Sequence, residues 1–268
     1  MTSAGALPRP PVWRLAVVGL LGGVLSGLFG VGGGIVMVPL LVLLTGMDQK
    51  RASTTSLLAI LPASIAGSVT YFVGGQVDLL AGALVAVGGI VGAWAGARLL
   101  RRIPVGWLRW TFIVLLVAVA VRLVLVPPAR GGNGLDWGSG TASTVLTVLA
   151  LIALGVVMGV ASGLFGIGGG LVMVPSFIAL FSLGDLLAKG TSLAAMIPTA
   201  ASGSLTNLRG GMVSLRDGLV VGAAATAASF GGVALAFLLP ATVAAWLFAA
   251  LLVIAAAQLA VRALRAPR

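Results

Sequence analysis

Two seventeen-residue stretches of this chain are nearly the same. Gly23–Pro39 reads GVLSGLFGVGGGIVMVP and Gly159–Pro175 reads GVASGLFGIGGGLVMVP, identical at fourteen positions and offset by 136 residues. The offset persists without a gap. Thr55-Ser56-Leu57 meets Thr191-Ser192-Leu193, Pro62 meets Pro198, Gly74-Gly75 meets Gly210-Gly211, and Gly96 meets Gly232. The chain is therefore one unit written twice, a plan common among secondary carriers.

What surrounds the repeat decides its solvent. Hydrophobic residues make up 60% of the chain and charged residues 8%, against roughly 25% charge in a soluble domain. Apolar runs near the length needed to cross a bilayer return throughout. They show no period-2 alternation of barrel type, so they read as helices. Each half offers four segments, at 13–46, 52–74, 78–100 and 106–127, then at 144–182, 188–208, 214–238 and 240–262. The division is an N-terminal tail at 1–12, membrane repeat 1 at 13–127, a Gly/Pro/Ser-rich linker loop at 128–143, membrane repeat 2 at 144–263 and a C-terminal tail at 264–268. A leader peptide could begin at Arg9 and Arg14, but that stretch runs into the duplicated motif and reads as mature protein.

The same composition removes most chemistries. Cys, His and Glu are absent, and the carboxylates are Asp48, Asp78, Asp136, Asp185 and Asp217. Thiol, imidazole and paired-carboxylate catalysis lack their raw material. No metal site and no cofactor are expected. The net charge of +11 fits basic residues flanking membrane spans better than a nucleic-acid partner.

The first segment of each half is too long for one crossing. It is broken by Gly30, Gly32, Gly33 and Gly34, and in the second half by Gly166, Gly168, Gly169 and Gly170. Each glycine costs about 1 kcal/mol in a helix interior. The segment is thus a single broken span or a helical hairpin that returns to its starting side. Loop charge separates the two. Single spans divide the Lys and Arg residues nine against seven; hairpins divide them thirteen against three, leaving Arg122, Arg130 and Lys189 opposite the termini. The expected fold is an all-α integral membrane protein of two homologous four-segment repeats. Each repeat starts with a Gly-broken helix or a helical hairpin; on the hairpin reading the repeats are inverted, with both termini cytoplasmic and the loop around Asp136 external.

Unwound backbone in a membrane must line a cavity or be buried in protein. Helix N-termini beside such a turn bind anions through backbone N–H groups and the helix dipole. Ser26 and Ser162 lie four residues before Gly30 and Gly166 and face the same way. Thr55-Ser56 and Thr191-Ser192 open the second segments, where they cap the helix or supply ligand donors. Asn207 and Arg209 are polar residues deep in the sixth segment. Close packing is the competing reading, since Gly23/Gly27 and Gly159/Gly163 are GxxxG pairs. Gly88, Gly92 and Gly96, answered by Ala224, Ala228 and Gly232, form a packing stripe. The FGVGGG string lacks the strand and βαβ unit of a dinucleotide loop.

The doubled SGLFGxGGGxxMVP at Ser26–Pro39 and Ser162–Pro175 resembles the TauE/SafE family of sulfite and organosulfonate exporters. So do TSL at Thr55–Leu57 and Thr191–Leu193, Gly75-Gln76-Val77-Asp78 ahead of the glycine stripe, and PVGWLR at Pro104–Arg109. The resemblance implies a plasma-membrane permease for sulfite, sulfonates or similar small anions. Its partners would be that anion and the lipid bilayer, with a homo-oligomer left open. Ser214 stands where the first half has Asp78, so that acidic position is not shared. A passive anion channel stays as an alternative, and a lipid-modifying membrane enzyme is disfavoured by the missing side chains.

Overall fold

A computed structural model describes residues 10–125, 135 and 141–265. The expected linker around Asp136 and Arg130, and most of both tails, fall outside the described residues. Among the described residues ten helices follow in order: α1 Val12–Phe29, α2 Gly34–Thr45, α3 Gln49–Val73, α4 Leu79–Arg102, α5 Val105–Leu125, α6 Thr141–Phe165, α7 Gly170–Leu180, α8 Asp185–Arg209, α9 Leu215–Leu238 and α10 Ala241–Arg265. Among the described residues, α1, α3, α4, α5, α6, α9 and α10 are long and apolar enough to cross a membrane. α8 is as long as α3, at 25 residues, but carries more charge. At 1.5 Å per residue, α2 and α7 reach only about 17–18 Å, too short for a core of about 30 Å.

Those two short helices decide between broken span and hairpin. Arg14, near the start of α1, donates through Nη1 to the Leu44 carbonyl near the end of α2 at 2.8 Å. Halfway along, Gly22 leaves room for Met37: a Cβ there would touch the Met37 side chain. α2 therefore folds back along α1, and the first segment is a hairpin. In the second repeat, a Cβ on Gly169 would lie 3.0 Å from the Met158 carbonyl oxygen, the same fold-back 136 residues on.

The inversion follows from α3 and α8. A Cβ on Gly67 would meet Leu193 Cδ1 at 2.8 Å, and one on Gly203 would meet Leu57 Cδ2 at 2.7 Å. The late residues of each helix lie against the early residues of the other, so these equivalent helices run antiparallel. Lys50 donates to the Arg101 carbonyl at 3.4 Å and Thr54 to the Met212 carbonyl at 2.8 Å. The start of α3, the end of α4 and the α8–α9 turn thus share the face on which α1 begins, the terminal face. α10 returns to it: Phe248 stacks on Phe29 at the far end of α1, while Gln258 borders Leu21 and Leu40.

The repeats interlock. Gly19, Gly23 and Gly27 of α1 lie against Val221, Ala225 and Ser229 of α9, so the two backbones touch. Gly88, Gly92 and Gly96 of α4 press on Ile152, Val156 and Val160 of α6, and Gly155, Gly159 and Gly163 press back on Val85, Gly89 and Ala93. With no hydrophobic drive between helices in lipid, this close approach supplies the packing energy. It runs parallel and always between the first helix of one repeat and the third long helix of the other.

Two sequence expectations shift. α3 and α8 begin six residues before Thr55 and Thr191, so these threonines are interior and not caps. The cap of α3 is Asp48, which accepts from Arg51 N at 2.8 Å; Asp78 caps α4 the same way at 2.9 Å. Ser214 takes the equivalent place on α9, accepting from Asp217 N. The Asp78/Ser214 difference is one capping side chain replaced by another.

Because no native thiol is present, single cysteines report topology directly. Gly75 and Gly211 are equivalent turn residues with nothing within 4 Å of a Cβ, and a cysteine at their positive φ costs about 1–2 kcal/mol. Gly75→Cys and Gly211→Cys should react with an impermeant maleimide from opposite sides. Reaction of both from one side would refute the inversion. Separately, Gly159→Leu should separate α4 from α6, costing about 1–3 kcal/mol or more by overpacking, seen as lower melting temperature and membrane yield. Gly231→Leu, where a Cβ meets nothing, should leave both unchanged.

Candidate functional site

The site grows from the glycines that end α1 and α6. Gly30 has a φ of 68° and closes α1 by donating to the Ser26 carbonyl at 2.9 Å; Gly32 and Gly33 are also left-handed, at 78° and 69°. Gly166, Gly168 and Gly169 repeat the path at 70°, 76° and 85°. Side chains at three such positions would cost about 1–2 kcal/mol apiece. α2 then starts at Gly34 and α7 at Gly170, neither with a side-chain cap. The Val36 and Val172 amides bond back to the Gly33 and Gly169 carbonyls at 3.1 Å, which leaves the Gly34, Ile35, Gly170 and Leu171 amides without a carbonyl one turn back in the helix. Each terminus carries roughly half a positive charge.

The two turns cross at mid-depth. A Cβ on Gly34 would lie 2.5 Å from Ile167 Cα, and one on Gly170 would lie 2.5 Å from Val31 Cα. Gly32 and Gly168 both rest on Ile60 and Met196, the central residues of the 25-residue helices α3 and α8. Serines brace the crossing reciprocally: Ser56 Oγ donates to the Gly166 carbonyl and Ser192 Oγ to the Gly30 carbonyl, each at 2.8 Å. Aromatic stacks repeat the exchange, Phe29 on Phe248 at 4.5 Å and Phe165 on Phe112 at 5.2 Å.

Ser26 and Ser162 are fully buried one helical turn before Gly30 and Gly166, and their hydroxyls have no protein partner among the described residues. Thr55 is buried and unpartnered as well. Thr191 is engaged elsewhere: its Oγ1 accepts the Asp78 N–H at 2.9 Å, tying α8 to the α3–α4 turn. Asn207 is buried with an unpartnered amide, while Arg209 is exposed at the end of α8. Both lie eleven or more residues beyond Met196, about 16–20 Å along the helix, so they do not join the crossing.

The sequence reading passed over four residues. Gln49 and Ser53 are buried without partners. Their equivalents in repeat 2 are Asp185 and Lys189, an ion pair at 2.7 Å with side chains 3% and 4% exposed. Lys189, counted above as a loop charge, lies inside α8 and is buried. The offset of 136 that reveals the repeat also aligns these pairs, and their chemical mismatch was the available signal. On the terminal face, Asp48, Lys50, Arg51 and the Gly211–Ser214 turn line an open depression of about 510 Å³. There Arg51 also reaches buried Asp217 at 3.5 Å.

Comparison with known proteins places this architecture. The family model described as sulfite exporter TauE/SafE matches residues 2–123 and 151–268, one stretch per repeat. The probable membrane transporter protein YunE of Bacillus subtilis is 30% identical over 216 residues, covering 75% of this chain and 79% of that one. YdhB of the same organism, also named a probable membrane transporter protein, is 27% identical over 203 residues, covering 74% and 80%. The sulfite exporter TauE/SafE family protein 1 of Arabidopsis thaliana is 30% identical over 112 residues, covering 42% and 25%. With its duplicated hairpins and a family match across both repeats, the chain belongs to the TauE/SafE family of membrane transporters.

Proposed function

We propose that this protein is a carrier that moves small sulfur oxyanions, sulfite or short organosulfonates, across the plasma membrane, binding them at the crossing of the two hairpin turns. The observation that carries the reading is the pairing of two uncapped helix N-termini with two buried, unpartnered hydroxyls, Ser26 and Ser162, at mid-depth. Leaving a buried hydroxyl unsatisfied costs about 1–3 kcal/mol, and this chain carries that cost twice at equivalent positions. A tetrahedral or pyramidal oxyanion repays it. Its oxygens accept from hydroxyls and first-turn amides, and its charge is favoured by the dipoles. No charged side chain is required at the centre.

The basic residues orient the carrier. Lys50, Arg51, Arg98, Arg101, Arg102 and Arg109 lie on the terminal face with Arg14, Arg209 and Arg216, so that face is cytoplasmic by the positive-inside tendency. An interior-negative potential then favours outward movement of a monoanion by about 2.3 kcal/mol per 100 mV. Export needs no coupling ion. Saturation of flux with rising substrate in proteoliposomes separates this carrier from a channel.

Blocking the turn with Gly33→Leu is a poor test, because a Cβ there runs into the Gly22 carbonyl and would unseat the hairpin. The hydroxyls give a cleaner one. Ser26→Ala and Ser162→Ala remove no hydrogen bond of the substrate-free protein, so melting temperature should hold or rise. Apparent affinity for sulfite or taurine should fall about ten- to a hundredfold, the worth of roughly 1.5–3 kcal/mol for a bond to a charged group. Arg209→Gln should matter less. Wild-type affinity in both serine variants, with transport silenced by Arg209→Gln, would move the site to an arginine-lined entrance.

A further inference from the structure

The repeats differ most sharply where each braces the other's turn. In repeat 1 the bracing helix starts with Gln49 and Ser53, uncharged and unpartnered; in repeat 2 the equivalent positions hold the buried pair Asp185–Lys189. Lys189 lies directly against the crossing. A Cβ on Gly30 would sit 2.5 Å from Lys189 Cα, and Ser192, three residues on, holds the Gly30 carbonyl. The equivalent contact in repeat 1 is Gly166 against the Ser53 backbone, so this packing forms equally well without charge. Burying a charge pair is costly and seldom more stabilising than an uncharged replacement. Packing therefore does not account for the pair.

The chemistry around it is selective. Beside the pair is a small cavity of about 20 Å³, lined otherwise by apolar residues that include Phe29, Val174, Pro175 and Phe248. In it the Lys189 ammonium donates to a carboxylate oxygen, Asp185 Oδ2, at 2.7 Å. Asp185 is the first residue of α8, on the face opposite the termini, so a small shift of the helix start would return its carboxylate to water.

We propose that Lys189 is a second anion-binding residue, on the face opposite the termini, and that Asp185 occupies it in place of the substrate until a sulfite or sulfonate oxyanion displaces the carboxylate. The proposal rests on reading the hairpin crossing as the anion path. An anion leaving the crossing passes from amides and hydroxyls to an ammonium, while Asp185 moves toward solvent. The exchange keeps one anionic partner on Lys189 throughout, so no buried charge is left alone. Repeat 1 lacks the device, which makes the two ends of the path unlike: an open basic depression on the terminal face, and an internally occupied lysine on the other.

The test is binding of sulfite and of taurine to purified full-length protein, read as ligand-induced rise in melting temperature over a concentration series. Asp185→Asn removes the internal competitor and should lower the half-saturating sulfite concentration about tenfold, whereas Lys189→Ser should raise it about tenfold or more. A purely structural ion pair predicts the same direction for both variants, and that result overturns the proposal, as does no shift in either. The double variant Asp185→Gln with Lys189→Ser installs the repeat 1 residues. It should fold like wild type and bind as weakly as Lys189→Ser alone; wild-type affinity in it also overturns the proposal. Ser26→Ala keeps the two readings apart. If it leaves affinity untouched while Asp185→Asn still strengthens binding, the crossing is not the site but Lys189 is.

Discussion

Backbone without a helix cannot stand in a membrane unless something supplies its hydrogen bonds, and here the supply comes from the opposite repeat. The Gly30 and Gly166 carbonyls, freed where α1 and α6 end, accept from Ser192 and Ser56. Each of these two carbonyls is held by a serine of the other repeat. This exchange explains the interlocking: α3 and α8 must lie antiparallel and adjacent so that each reaches the other's turn, and the glycine stripes of α1 and α6 bring the first helix of one repeat onto the third long helix of the other.

The same arrangement suits transport. On the proposed reading, a site held at mid-depth by two equivalent helices, each anchored on the other repeat, would change if the repeats tilted against one another. The aromatic stacks Phe29–Phe248 and Phe165–Phe112 link each turn to the last helix of the other repeat. Symmetry sets the crossing, and the repeats depart from it elsewhere: Tyr71 donates to the Gly27 carbonyl at 2.8 Å, while the amide of its counterpart Asn207 has no partner among the described residues.

Much of this was legible in the residues. The offset of 136 exposed the duplication, four glycines in five positions marked the break, and the distribution of Arg and Lys chose the hairpin over the broken span. Ser26 and Ser162 were placed near the turns by spacing alone, whereas Ser56 and Ser192 were read only as caps or donors at the start of the second segments. Helical periodicity could not say that Thr191 serves the α3–α4 turn while Thr55 has no partner, because identical residues in equivalent helices meet different neighbours. Nor could it separate Arg209, at a helix end, from the crossing.

The sequence by itself determined the class, the repeat and the glycine breaks, and its basic residues favoured hairpins over broken spans, because these follow from local costs: charge in lipid, glycine in a helix, basic residues at one face. Only the tertiary structure decided which repeat braces which turn, that the turns touch at the centre of α3 and α8, and that Asp185 and Lys189 form a buried pair. The bracing contacts join residues more than a hundred positions apart, and the i,i+4 pair is buried because Lys189 packs against Gly30 of the other repeat; there geometry and not composition selects the neighbour.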